Sequence, residues 1–135
     1  MPLIKWNDSF SVNIVEIDQQ HQKLVSLIND LNQAMLQGMG KAALTNILNE
    51  LVSYTVNHFG TEEKYFAQFK YPDSDSHKKE HLAFVEKVAA FKKDFDSGRL
   101  GLSIEVMQFL SDWLQNHIKG TDKKYGPYFN AKGLK

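Results

Sequence analysis

All five histidines of this chain lie in the same helical stripes as its leucines and phenylalanines. Leu24, Leu27, Ile28, Leu31 and Met35 recur at intervals of three and four, and His21 lies one turn before Leu24 on that face. Leu44, Leu48, Leu51, Thr55, His58, Glu62 and Phe66 form a second stripe. His77, His81, Phe84, Val85, Val88, Phe91 and Phe95 form a third, and Val106, Phe109, Leu110, Trp113, Leu114, His117 and Ile118 a fourth. A chain so patterned folds as amphipathic helices that bury one face. Here that face carries imidazoles and a carboxylate at positions where leucines stand elsewhere in the same helices.

Punctuation separates the stripes. Residues 1–17 read as an irregular or extended arm, because Trp6, Phe10, Val12, Ile14 and Ile17 lack helical spacing over a useful length. Asp18 is the expected N-cap of the first helix, and Gly38 and Gly40 close it. The second helix is expected to begin near Lys41 and to break at Lys70-Tyr71-Pro72-Asp73, since proline disfavours helix in the residue before it. The third runs from around Asp75 or Ser76 to Ser97-Gly98, and the fourth starts near Ser103. Gly120 interrupts the fourth, and Gly126-Pro127 marks a tail. Four helices with short links predict an all-α, up-down-up-down four-helix bundle with an N-terminal arm and a short C-terminal extension. The length of 135 residues suits one domain spanning 1–135.

Composition removes several classes of function. There are no cysteines, so nothing argues for disulfides, a zinc ribbon, an iron–sulfur cluster or a thiol nucleophile. Lys+Arg and Asp+Glu balance at 16 each, which gives no general electrostatic reason to hold nucleic acid or an anionic membrane. No run approaches ~18 apolar residues, so membrane insertion is not expected. The opening MPLIKWNDSF does not read as a signal peptide, and the cytoplasm is the expected location.

The polar residues of the stripes have ligand chemistry. His58 and Glu62 are four apart, as are His77 and His81, so each pair faces one way, one turn apart. A lone histidine on a helix is more often a satisfied core or surface residue than a ligand. Five on inward stripes, with Glu62 and Asp122 beside them, change that balance, because burying carboxylates without a cation is costly. Five nitrogens and two carboxylates exceed the needs of one ordinary ion, which points to two. Histidine with carboxylate suits Fe, Zn, Mn or Cu, and the missing H-E-x-x-H run removes the metalloprotease motif.

The spacing of five between His117 and Asp122 is awkward. On a straight α-helix these positions differ by about 140°, so both cannot face the core. Widening by one residue, as in a π-type turn eased by Gly120, would repair this. On spacing alone, a solvated Asp122 beyond the helix end is the favoured reading.

The motifs E-I-D-Q-Q-H, H-F-G-T-E-E, H-K-K-E-H and W-L-Q-N-H-I-K-G-T-D resemble those of the hemerythrins, most closely the single-domain bacterial members, the bacteriohemerythrins. The resemblance runs from the aromatic arm to about Tyr128, and the spacing of five is itself a family trait. It implies one iron held by His77, His81 and His117, a second held by His21 and His58, and Glu62 and Asp122 bridging both with an oxo or hydroxo group. Of about twelve octahedral positions, one then stays open, on the iron with two histidines. The resemblance implies that O₂ binds there reversibly. It also implies that Phe59, Trp113, Leu114 and Ile118 line an apolar O₂ pocket, although their spacing alone reads as ordinary helix core.

The expected function is therefore non-enzymatic O₂ storage or delivery, with two iron ions as cofactor and O₂ as the partner. The competing reading is an enzyme: a di-iron oxidase or peroxidase, or a nitric-oxide-handling protein. A purely structural metal bundle is a third class, which an open coordination position argues against. No feature of the sequence identifies a protein acceptor of O₂.

Overall fold

The computed structural model describes residues 4–98 and 101–135. The first stripe forms α1 (Val15–Leu36). The second forms one rod, in which α2 (Gly40–Tyr54) passes through a π-helical segment (Thr55–Phe59) into α3 (Gly60–Phe69). The third forms α4 (Ser74–Asp96). The fourth forms α5 (Leu102–Trp113), which runs on as a second π-helical segment (Leu114–Thr121). A 3-10 turn (Asp122–Lys124) and α6 (Tyr125–Ala131) follow. Both α1 and α4 pack on α2 and α5, the up-down-up-down four-helix arrangement.

The helix boundaries follow local chemistry, with three corrections. The arm contains a 3-10 turn at Asp8–Phe10, and α1 begins at Val15, before the end of the expected arm. Asp18 does not cap α1. Its carboxylate accepts from Ser11 Oγ (2.6 Å) and Val12 N–H (2.8 Å), so it ties the arm to the first turn of the helix. Gly120, the expected interruption of the fourth helix, lies inside its π segment. Gly126-Pro127 is not a tail, since both residues stand in the first turn of α6, where proline's missing N–H costs nothing. The break before Pro72 is as expected: α3 ends on Lys70 at φ 53°, and Tyr71 N–H reaches back to Phe66 O at 3.0 Å.

Two apolar clusters hold the bundle. The larger, built on Leu24, Leu31, Leu51, Phe84 and Leu110, fills its length. The smaller is a largely aromatic base of Val12, Ile14, Ile17, Phe66, Tyr71, Tyr125 and Phe129, which joins the arm to α6. Gly126 is needed at that junction, because a Cβ there would meet the Val12 carbonyl oxygen at 2.7 Å. Among the described residues, no helix is long and apolar enough to cross a membrane.

Candidate metal centre

The five histidines, Glu62 and Asp122 are buried, none more than 2 % exposed. They form two groups of potential metal ligands, Glu62 with His77, His81 and His117, and His21 and His58 with Glu62 and Asp122. Asp122 faces both. Its Oδ1 lies 2.8 Å from His77 Nε2 and 2.9 Å from His117 Nε2, and its Oδ2 lies 3.0 Å from His21 Nε2. Glu62 Oε1 likewise lies 2.9 Å from His58 Nε2 and 3.2 Å from His81 Nε2. The Nε2 atoms also crowd one another, at 3.0 Å for His21 and His58 and 3.1 Å for His77 and His117.

Short N···O spacings would ordinarily be ion pairs. Here all four carboxylate oxygens of Glu62 and Asp122, and Nε2 of His81, are buried without a hydrogen-bond partner. The outward ring nitrogens explain this. His58 Nδ1 donates to Gln20 Oε1 (2.6 Å), His81 Nδ1 to Glu63 Oε2 (3.0 Å), and His117 Nδ1 to Glu80 Oε1 (2.9 Å). A neutral imidazole that donates from Nδ1 presents a lone pair at Nε2. Lone pairs of His58 and His81 therefore face Glu62 oxygens across a dry interior. A cation supplies what both sides lack, and the donor set fits two divalent ions sharing two carboxylates.

The electrostatics are those of a site short of positive charge. Burial and the nearby Asp122 both act to raise the pKa of Glu62, yet His58 and His81 outweigh them and hold it below the usual range. Burial likewise opposes ionisation of Asp122, but His117, His21 and His77 hold it well down. Burial would lower His117, but the negative charge of Asp122 beside it pushes it up to about 9. Without metal, a proton on His117 thus stands in for part of the missing cation. His58 is lowered, chiefly by desolvation.

The π segments place the ligands. Asp122 N–H bonds to His117 O, an i→i+5 bond between the two residues themselves, so the turn between them is one residue wider than in an α-helix. That widening brings Asp122 back to the imidazole face and buries it fully, which replaces the solvated reading of Asp122. The first π segment carries His58. Thr55 Oγ1 donates to Val52 O (2.7 Å) and Thr61 Oγ1 to Asn57 O (2.8 Å), so each of these carbonyls around the irregular turns accepts a hydroxyl as well as a backbone N–H.

Aromatic rings cover the imidazoles. Phe59 lies flat on His81 with centroids 3.8 Å apart, and Trp113 lies flat on His117 at 3.9 Å. Trp113 therefore sits at the three-histidine end, whereas Phe59 also reaches the His58 ring, with centroids 5.8 Å apart. Leu114 and Ile118, on the second π segment, have no exposed surface. The ring stacked on His58 is Tyr54, at 5.0 Å. It lines a cavity of about 260 Å³ with Gln20, Lys23, Glu50, Ser53, Asn57 and His58. Sequence reasoning missed Tyr54, Gln20, Glu63 and Glu80. Each of the last three stands beside a ligand in sequence, Gln20 before His21, Glu63 after Glu62 and Glu80 before His81.

The comparisons with known proteins agree with this geometry. Residues 12–129 match the family model described as hemerythrin HHE cation binding domain. A bacteriohemerythrin of Stenotrophomonas maltophilia is 36 % identical over 131 residues, covering 97 % of this chain and 84 % of that protein. A hemerythrin-like protein of Naegleria gruberi is 38 % identical over 120 residues, covering 89 % and 88 %. The solved structure of a wild-type hemerythrin superposes with a TM-score of 0.83 at 32 % identity, over 93 % of this chain and 96 % of that one. Buried imidazoles in groups of three and two, sharing two carboxylates on a bundle of this shape, thus coincide with a family match over nearly the whole length, and the chain belongs to the hemerythrin family.

Proposed function

We propose that this chain binds O₂ reversibly at a pair of iron ions, as a storage or delivery protein. His77, His81 and His117 hold one ion, His21 and His58 hold the other, and Glu62 and Asp122 are shared. The observation that carries this reading is the unequal division of imidazoles around two buried carboxylates whose four oxygens have no other partner. A pair of ferrous ions supplies the electrons for holding O₂ reversibly. The side chains do the rest. Three imidazoles would hold one ion and two the other, so the second would have one protein ligand fewer. Phe59, Trp113, Leu114 and Ile118 keep water and protons away from the site, since an apolar wall offers neither a hydrogen bond. Neutral imidazoles in place of carboxylates leave the centre more positive than a carboxylate-rich site, which favours the divalent state over more oxidised ones.

The test is absorption spectroscopy of iron-loaded protein, without and then with O₂. Two irons per chain and a visible band that appears with O₂ and disappears on its removal are the expected result. Rapid irreversible oxidation coupled to turnover of an added substrate would favour an oxidase or peroxidase instead. One tightly held zinc with no iron would overturn the reading.

A further inference from the structure

The three residues that hold the outward ring nitrogens form a relay around the bundle. Gln20 stands beside His21 on α1 but bonds His58 on the next rod. Glu63 stands beside Glu62 on α3 but bonds His81 on α4. Glu80 stands beside His81 on α4 but bonds His117 on the second π segment. A residue one position from an inward ligand is rotated by about 100°, into the groove between two helices, where the neighbour's ligand is in reach. Two of the three are anchored in turn. Gln20 Nε2 donates to Thr61 Oγ1 (3.1 Å), and Thr121 Oγ1 donates to Glu80 (3.0 and 3.2 Å).

The relay is chemically uneven. Two imidazoles of the three-histidine group donate to carboxylates. In the two-histidine group one donates to a neutral amide, and Nδ1 of His21 is buried with no partner. A carboxylate behind an imidazole raises its basicity and adds negative charge near a cation, whereas an amide mainly fixes its orientation. We propose that Glu63 and Glu80 are positioning residues that make the three-histidine group the tighter metal site, filled first, and that Gln20 keeps the two-histidine group the weaker. This rests on the two-ion reading above.

Anaerobic titration of metal-free protein with Co(II), followed by calorimetry and visible absorption, separates the steps. The wild type is expected to bind two ions in unequal steps. E63Q and E80Q keep an acceptor but lose the charge, and each is expected to weaken the first step by about 10–100-fold with the second little changed. Q20E is expected to tighten the second step and narrow the gap. Thermal unfolding of the metal-free variants controls for a structural role, which would lower stability and weaken both steps alike. Two ions bound with first steps unaltered in E63Q and E80Q would overturn this proposal and leave the two-ion reading standing. A wild type that binds only one ion would overturn both.

Discussion

The same helices run through two kinds of core. Around Leu31, Leu48, Phe91 and Leu110 the interior is apolar and the helices are regular. Around His58 and His117 the interior is polar, and both rods that bear these residues widen into π segments. The apolar half needs only volume and shape, and burial stabilises it without further partners. The other half buries five imidazoles and two carboxylates whose four oxygens have no hydrogen-bond partner within the chain. The regular half therefore stabilises an irregular one that is completed from outside.

Replacing a ligand should show the largest difference. His77→Ala removes an imidazole from the three-histidine group and should lower iron content, abolish the visible band and remove the stabilisation that bound metal confers, about 2.7 kcal/mol for an ion present at a hundred times its Kd. Unchanged iron content and melting temperature would show that His77 is not a ligand. In the apolar half, Leu110→Ala should cost about 2–5 kcal/mol in denaturant unfolding while iron stays at two per chain. Loss of iron in that variant would erase the distinction between the halves.

Leu114 sharpens the boundary, because it lies one turn beyond Leu110 and is equally buried. Leu114→Ala should lose stability within the same range of about 2–5 kcal/mol, and should in addition speed decay of the oxygenated form by admitting water. Equal decay rates in Leu114→Ala and wild type would assign Leu114 to the apolar core alone.

Acid–base behaviour separates metal-free from loaded protein. His117 titrates near 9 in the folded, metal-free chain against about 6.5 unfolded. Its folded pKa is raised, so its contribution is fully present below about 6.5 and is lost as pH rises through about 9. Denaturant unfolding of metal-free protein should show that decline, and His117→Asn should flatten it. Metal affinity should move the opposite way over the same window, because the ligand must shed that proton. The smallest effect belongs to Tyr71 in the aromatic base. Burial, with Asp73 and Asp122, pushes its phenol up to about 12. The associated stability should fall between about pH 10 and 12, and Tyr71→Phe should reduce the slope.

The helices and the histidines were legible in the sequence because one periodicity governs both. Leucine and histidine share a face whenever three or four residues separate them, so the stripe that reports the core also reports the ligands. Asp122 was legible only as a conflict, since five residues do not close an α-helical turn, and family resemblance resolved it. The first π segment left no such trace, because His58 and Glu62 keep ordinary spacing. Its hint was Thr55 and Thr61, whose hydroxyls bond backbone carbonyls. Gln20, Glu63 and Glu80 were hidden because each serves a ligand on another helix, and pairing between helices is a property of packing rather than of local order. Asp18 and Gly126 misled because both serve the arm: Asp18 ties it to the first turn of α1, and Gly126 lets α6 approach Val12 closely.

That junction has a kinetic consequence. His21 and Asp122 are 101 residues apart in sequence and 3.0 Å apart in space. The base beneath them closes only when Tyr125 and Phe129 join Val12 and Ile14. Helical hairpins form early because their contacts are local, whereas this closure joins residues far apart in sequence and carries the entropy of a long loop. During synthesis the four-residue His58/Glu62 and His77/His81 pairs emerge long before Asp122 does. A nascent chain in a metal-bearing medium thus offers partial chelates first. Asp122, whose carboxylate lies against His21, His77 and His117, joins them only afterwards.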